Sequence, residues 1–140
     1  SSAASDVYKR QIEELSKLEH DGEPLLSDPV VRDDLVGFIM EAKAISLTGR
    51  RSGIPALTSD YPMGLALSVK YRGTEYERRM KQYTASKQGA QSALYVGDAD
   101  AVSGGFWQRA YFSNFGATIG GGTTQVQANI VAEHVLGLPK

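Results

Sequence analysis

Residues 120–125 read Gly-Gly-Gly-Thr-Thr-Gln and stand directly before an apolar stretch with helical spacing. Glycine lets a ligand approach the backbone closely, and the first-turn N–H groups of a following helix, with its dipole, favour an anion such as a phosphate. The hydroxyls of Thr123 and Thr124 and the amide of Gln125 add neutral donors that can orient a pyrophosphate or a ribose. Glycine-rich turns before helices are also common as plain connections, so these residues fit both a ligand site and a capped helix start. No Gly-Lys-Ser/Thr is present, which excludes a Walker-type phosphate loop. Gln125 and Gln127, two apart, point to different helix faces, so at most one readily faces a given ligand.

Other chemistry-bearing residues are sparse. Cysteine is absent, which removes thiolate nucleophiles, disulfides and Cys-based zinc sites. The two histidines, His20 and His134, lie far apart and neither has metal-ligand spacing to an acidic partner, so no metal site is expected. His134, near a helix C-terminus, suits a surface or interface position where a positive charge meets the dipole favourably. Glu13 with Glu14, and Asp33 with Asp34 beside Arg32, read as solvated surface rather than as a carboxylate pair for acid–base work. Trp107, Tyr111 and Phe115 recur every four residues, a stripe expected to fill the core rather than stack on a cofactor.

The elements that must hold these groups are helical. Tyr8, Ile12, Leu15 and Leu18 trace one apolar stripe, which Asp21, Gly22 and Pro24 end. Asp28 and Pro29 form a cap and first position for a second helix, whose expected buried face is Val31, Leu35, Phe38, Ile39, Ala42, Ile45 and Leu47. Gly53 and Pro55 close it, and a loop runs to Pro62. In a third helix Leu65, Val69, Arg72, Tyr76, Met80 and Tyr83 share a stripe, while Lys70, Glu75, Glu77, Arg78, Arg79 and Lys81 charge the remaining surface. Gly89 either ends or bends this helix, residues 97–105 read as a loop, and a short helix is expected from Phe106 to about Phe115.

Thr124 and Gln127 form a capping-box pattern for the last helix, with Val126, Ile130, Val131, His134 and Val135 on its apolar face and Gly137 and Pro139 as its stop. No strand-period stretch competes. The predicted fold is all-α, an antiparallel up-down four-helix bundle in one domain.

Charge excludes some partners. Fifteen Lys plus Arg against sixteen Asp plus Glu leave a net charge of −1, so no global field draws the chain to nucleic acid or an anionic membrane. No apolar run reaches the roughly 18–20 residues of a membrane span, and no secretion signal is visible, which predicts a cytoplasmic chain. Residues 1–11, SSAASDVYKRQ, resemble a translated sequencing adaptor and are expected to be a non-native or disordered leader before a domain at 12–140; the alternative is a frayed natural start leading into a helix capped by Asp6.

The segment 119–140, IGGGTTQVQANIVAEHVLGLPK, resembles the C-terminal signature of the acyl-CoA dehydrogenases, Gly-Gly-Thr-x-Glu-Ile-Gln-Arg-Asn-Ile ending in Leu-Gly-Leu-Pro. The stretch 28–44, DPVVRDDLVGFIMEAKA, resembles a helix that many bacterial members carry earlier in the same domain. The resemblance implies the C-terminal helical domain of a flavoprotein whose N-terminal helical domain and β-domain lie upstream. It implies FAD as cofactor, acyl-CoA as substrate, a homo- or hetero-oligomer, and electron-transfer flavoprotein as redox partner. By similarity Thr123, Thr124 and Gln125 match positions that touch FAD, Gly122 the position whose backbone meets acyl-CoA, and Gly89 a glycine turn near the FAD adenosine of a neighbouring subunit.

The family reaction uses a glutamate to take the α-proton of the thioester. In some members that glutamate directly precedes the Gly-Thr of the signature, where this chain has Gly121; in others it projects from a helix expected upstream of Ile12. No catalytic residue is therefore assigned, and the isolated chain is expected to be inactive. Ala128 and His134 stand where arginine is usual or common. The rival reading is a non-catalytic helical subunit, or a binding or oligomerisation module.

Overall fold

The computed structural model describes residues 3–58, 60–61 and 63–139. Helix α1 (Ala3–Leu15) runs without a break through Gln11 and Ile12, and Asp6 lies inside it rather than at its cap. Tyr8 packs on the core, the Arg10 guanidinium sits 3.6 Å from the centroid of the Phe106 ring, and Gln11 is fully buried. Residues 8–11 thus make tertiary contacts, whereas Ser1 and Ser2 lie outside the described residues.

The chain leaves α1 through an antiparallel pair that the sequence reading treated only as a helix stop. Strands β1 (Glu19–His20) and β2 (Glu23–Pro24) flank Asp21 and Gly22, both left-handed at φ 54° and 81°. Asp-Gly at the centre of a two-residue hairpin tolerates those angles and matches the strand twist.

Asp28 begins α2 (Pro29–Arg50) as expected, its carboxylate accepting the Val30 N–H at 2.8 Å with Pro29 in the first turn. Val31, Leu35, Ala42 and Ile45 are buried, Phe38 and Ile39 are half-buried, and Leu47 faces outward. Two 3₁₀ turns, Arg51–Gly53 and Pro55–Leu57, lead to α3 (Gly64–Ser86).

Helix α3 is the hub. It touches α1, α2, α4 (Phe106–Ile119) and α5 (Thr124–His134). Tyr76 and Met80, both without solvent exposure, form one core with Ala42, Ile45, Ala85 and Trp107. Leu15, Leu25, Val31 and Leu35 make a second core, against which Tyr83 packs while its hydroxyl donates to Asp34 at 2.9 Å. Burial, and then the Glu41 and Glu77 carboxylates, push the Tyr76 hydroxyl up to about 12, so the ring stays neutral. Arg72, expected on the buried stripe, is exposed; Thr84 and Ala85 line the interior instead.

Of the aromatic stripe on α4 only Trp107 is core; Tyr111 is half-buried and Phe115 is 46% exposed. The phase of α4 is set so that Trp107, Gln108 and Asn114 face inward, and the helix runs four residues past Phe115. That phase is fixed by the preceding loop, where Ser103, Gly104 and Gly105 are all left-handed. The buried Glu14 carboxylate accepts the Ser103 hydroxyl at 2.7 Å, so Glu14 anchors the loop to α1 and is not solvated surface.

A Cβ on Gly105 would stand 2.6 Å from the Val96 nitrogen, whereas one on Gly104 would meet nothing within 4 Å, although both residues are left-handed. Gly104→Ala is therefore expected to cost about 1 kcal/mol through backbone strain alone. Gly105→Ala is expected to cost about 2–4 kcal/mol, because backbone rather than a mobile side chain blocks the methyl group. Urea denaturation of both variants checks the difference, and equal losses would contradict the steric account.

Candidate ligand-binding turn at the start of α5

Gly120 ends α4 in an extended conformation, and Gly121 and Gly122 follow in the left-handed region at φ 70° and 101°. The Gly120 N–H bonds the Gly116 carbonyl at 2.9 Å and the Gly122 N–H bonds that of Ile119 at 3.2 Å, so the turn closes the end of α4 on itself. Thr123 then returns to extended backbone and caps α5, its hydroxyl oxygen accepting the Val126 N–H at 3.2 Å. The cap thus falls one residue earlier than the expected Thr124–Gln127 box. Gln127 reaches instead to the Gly121 carbonyl, to which its Nε2 donates at 2.9 Å.

That shift rotates the helix relative to its apolar pattern. Gln127 is only 2% exposed, while Val126, expected on the buried face, is 49% exposed. Ile130, Val131 and Val135 are half-buried and His134 is exposed, its ring stacked on Tyr61 with centroids 5.1 Å apart. Among the described residues the Gln127 Oε1 is buried without a hydrogen-bond partner.

Residues of α3 expected as charged surface grip the turn from the other side. Lys70 Nζ donates to the Gly122 carbonyl at 2.8 Å, and the Thr124 hydroxyl donates to Glu75 at 2.9 Å. One turn of α3 is also tied to α4, where Asn114 donates to the Thr74 carbonyl at 2.9 Å and accepts from Lys81 at 2.7 Å. The Thr124 hydroxyl, and after it Arg78 at 3.1 Å, hold the Glu75 carboxyl below the usual carboxylate range despite its partial burial. A carboxylate so stabilised is a weak base, which argues against proton abstraction by Glu75.

The fold therefore brings Gly122, Thr123, Thr124 and Gln125 into one turn, but with different remaining capacity. Thr124 has committed its proton to Glu75, whereas Thr123 accepts a backbone N–H and keeps its own proton to donate. Gln125 is exposed, and Gly121 is exposed with open space where a Cβ would stand. Gly89 is elsewhere: at φ 60° it starts a 3₁₀ helix (Gly89–Ala93) and lines a separate cleft with Lys17, His20 and Lys87. From Lys70 to the end of α3 is roughly 24 Å at 1.5 Å per residue, so a single chain keeps Gly89 away from the turn.

Sequence reasoning missed Lys70 and Glu75 because nothing local distinguishes them from the other charges on α3. Lys70 also lines an open cleft of about 590 Å³ with Gly49, Ser52, Leu65 and Val69. Among the described residues there is no cluster of three metal-ligating side chains.

A predominantly helical domain organised on one central helix, with a left-handed glycine pair opening its last helix, defines the class of protein. The profile of the acyl-CoA dehydrogenase C-terminal domain matches residues 2–136, and the chain belongs to that family. It is 31% identical over 114 residues to acyl-CoA dehydrogenase IpdE1 of Mycolicibacterium smegmatis, covering 81% of this chain and 26% of that protein. In structure it is similar to the ChsE4–ChsE5 complex of Mycobacterium tuberculosis, with a TM-score of 0.80 at 22% identity over 98% of this chain and 36% of the other. It is also similar to the Tcur3481–Tcur3483 steroid ACAD, with a TM-score of 0.78 at 22% identity over 98% and 34%. The chain thus spans about a quarter to a third of the length of these relatives.

The Thr124–Glu75 contact carries a pH signature. A carboxyl with a depressed folded pKa contributes stability that is present above its unfolded value, about 4.3, and is lost as pH falls through the folded value. Thr124→Val is therefore expected to destabilise at neutral pH by a few tenths to about 1 kcal/mol, modest because Glu75 is partly solvated. The deficit should vanish in strong acid. Thermal melts of the two proteins between pH 7 and pH 2 check this, and a constant deficit would point to packing instead.

Proposed function

We propose that the chain is the C-terminal helical part of a flavin-dependent acyl-CoA dehydrogenase, and that residues 120–125 contribute to its FAD and acyl-CoA sites. The observation that carries this reading is the turn itself. Two left-handed glycines expose backbone, Thr123 retains a hydroxyl proton, and the buried Gln127 Oε1 is a neighbouring acceptor without a partner among the described residues. Neutral donors and an acceptor at a helix start fit a phosphorylated, polyhydroxylated ligand such as FAD.

When bound, FAD supplies the hydride acceptor for oxidation of the acyl group. This chain's own contribution is to bind and orient. Thr123 offers a hydroxyl and a backbone N–H, and Gly122 keeps bulk away from the approaching ligand. The reaction also needs a base for the α-proton, and Gly121 has no proton acceptor. Val36, Met40 and Leu47 form an exposed apolar row on α2, and such a row suits burial against further domains or subunits. Electron-transfer flavoprotein is the expected acceptor of the electrons.

Gly121 favours a second reading, a non-catalytic subunit paired with an active one. One structural relative is the ChsE4–ChsE5 complex, and another, the Tcur3481–Tcur3483 steroid ACAD, also carries a paired name.

Two outcomes follow. The isolated chain is expected to reduce no dye with any acyl-CoA above the flavin blank, and turnover would contradict the proposed division of labour. In the protein completed by its flavin-enclosing domains, Thr123→Ala should weaken FAD by about 0.5–1.5 kcal/mol through the lost hydroxyl. Because Thr123 is also the helix cap, Thr123→Ser is the control that keeps both roles. Flavin fluorescence titration reads the result; unchanged affinity in Thr123→Ala would reduce the segment to a capped helix start.

A further inference from the structure

We propose that Lys70 and Glu75 of α3 are positioning residues that determine which hydrogen-bond donors the turn presents to its ligand. In a trans peptide the C=O and the following N–H point in opposite directions, so a group that holds the carbonyl also aims the amide. Lys70 holds the Gly122 carbonyl toward α3 at 2.8 Å. The N–H of that peptide belongs to Thr123 and is thereby directed away from α3, to the outer side of the turn.

Glycine at 122 makes this hold necessary. At φ 101° it occupies a region that it leaves at little cost, so the orientation of its peptide is set by contacts and not by intrinsic preference. Gln127 fixes the preceding carbonyl, that of Gly121, but leaves the 122–123 peptide to Lys70.

Glu75 sorts the two threonines. By accepting the Thr124 hydroxyl at 2.9 Å it turns that side chain toward α3 and uses its proton. Thr123, whose oxygen is occupied by the Val126 N–H, is left as the hydroxyl that can donate outward. Lys70 and Glu75 are five residues apart on α3, about 7.5 Å along its axis, a span that fits the ends of the segment 122–124. Glu75 is paired with Arg78, so the Lys70 ammonium that bonds the neutral Gly122 carbonyl keeps its positive charge at the turn, which suits an anionic ligand.

The proposal rests on the reading of the turn as a cofactor site, and its test separates the two. In amide spectra of this chain, Lys70→Met is expected to shift the Gly122 and Thr123 N–H resonances with the rest of α5 and the helical circular dichroism unchanged, and Lys70→Arg to restore them. In the protein completed by its flavin-enclosing domains, Lys70→Met should weaken FAD roughly 5- to 20-fold and Lys70→Arg by less than about twofold. Glu75→Gln, which still accepts the Thr124 hydroxyl, should bind FAD as the parent does, whereas Glu75→Leu should not. Unmoved turn amides in Lys70→Met, or equal losses in Lys70→Met and Lys70→Arg, would overturn the positioning role. The amides and the contrast between the two Lys70 variants judge the positioning role, while the FAD affinity of Thr123→Ala judges the cofactor reading.

Discussion

The structure depends on α3 serving two solvents at once. Toward one side it buries Tyr76 and Met80 with no exposure, and these side chains join α2 and α4 through Ala42, Ile45 and Trp107. Toward another, Lys70 donates to the Gly122 carbonyl in the turn before α5, the Thr74 carbonyl accepts from the Asn114 amide of α4, and Glu75 accepts from the Thr124 hydroxyl of α5. An apolar contact is non-directional, and it brings helices together without fixing their phase. The polar contacts fix the phase. Asn114, bonded to Thr74 and Lys81, and Gln127, bonded to Gly121, are both buried where a purely apolar pattern would have placed a hydrophobic residue.

A consequence is an interior with an unusual share of amides. Gln11, Gln88, Gln108 and Gln127 are all buried, and Gln108 donates to Gln88 at 2.6 Å. Buried amides are costly unless bonded, and among the described residues both polar atoms of Gln11, the Gln88 Nε2 and the Oε1 atoms of Gln108 and Gln127 have no partner, so these amides are only partly satisfied. Three of the four lie where loops meet helices: Gln88 just past α3, Gln108 in the first turn of α4, Gln127 behind the glycine turn. The Glu14–Ser103 contact works in the same way, holding three successive left-handed residues before α4. The phase of α4, and with it the burial of Trp107 and the exposure of Phe115, follows from that loop together with the Asn114 contacts.

The turn before α5 shows how backbone freedom and side-chain anchorage divide a task. Gly121 and Gly122 supply conformations that other residues adopt only with strain. Freedom alone would leave the turn undefined, and the Lys70, Gln127 and Glu75 contacts each remove part of it. The conformation of the turn is thus held partly by residues some fifty positions earlier in the chain.

What the sequence determined by itself was largely local. Asp28 and Pro29 dictated the start of α2, Gly137 at φ 67° its place just beyond α5, and the three-and-four spacing the helices themselves, because caps, left-handed glycines and amphipathic periods act within a few residues. The Gly-Gly-Thr signature likewise resembles that of the family to which the chain belongs, and its glycines mark the turn locally. Only the tertiary structure decided that Thr123 rather than Thr124 caps α5, that Glu14 is buried, that Phe115 is exposed, and that Lys70 and Glu75 serve the turn. Each of these depends on which partner from a distant part of the chain arrives, and a charged residue on a helix carries no local mark of whether it will meet water or a carbonyl.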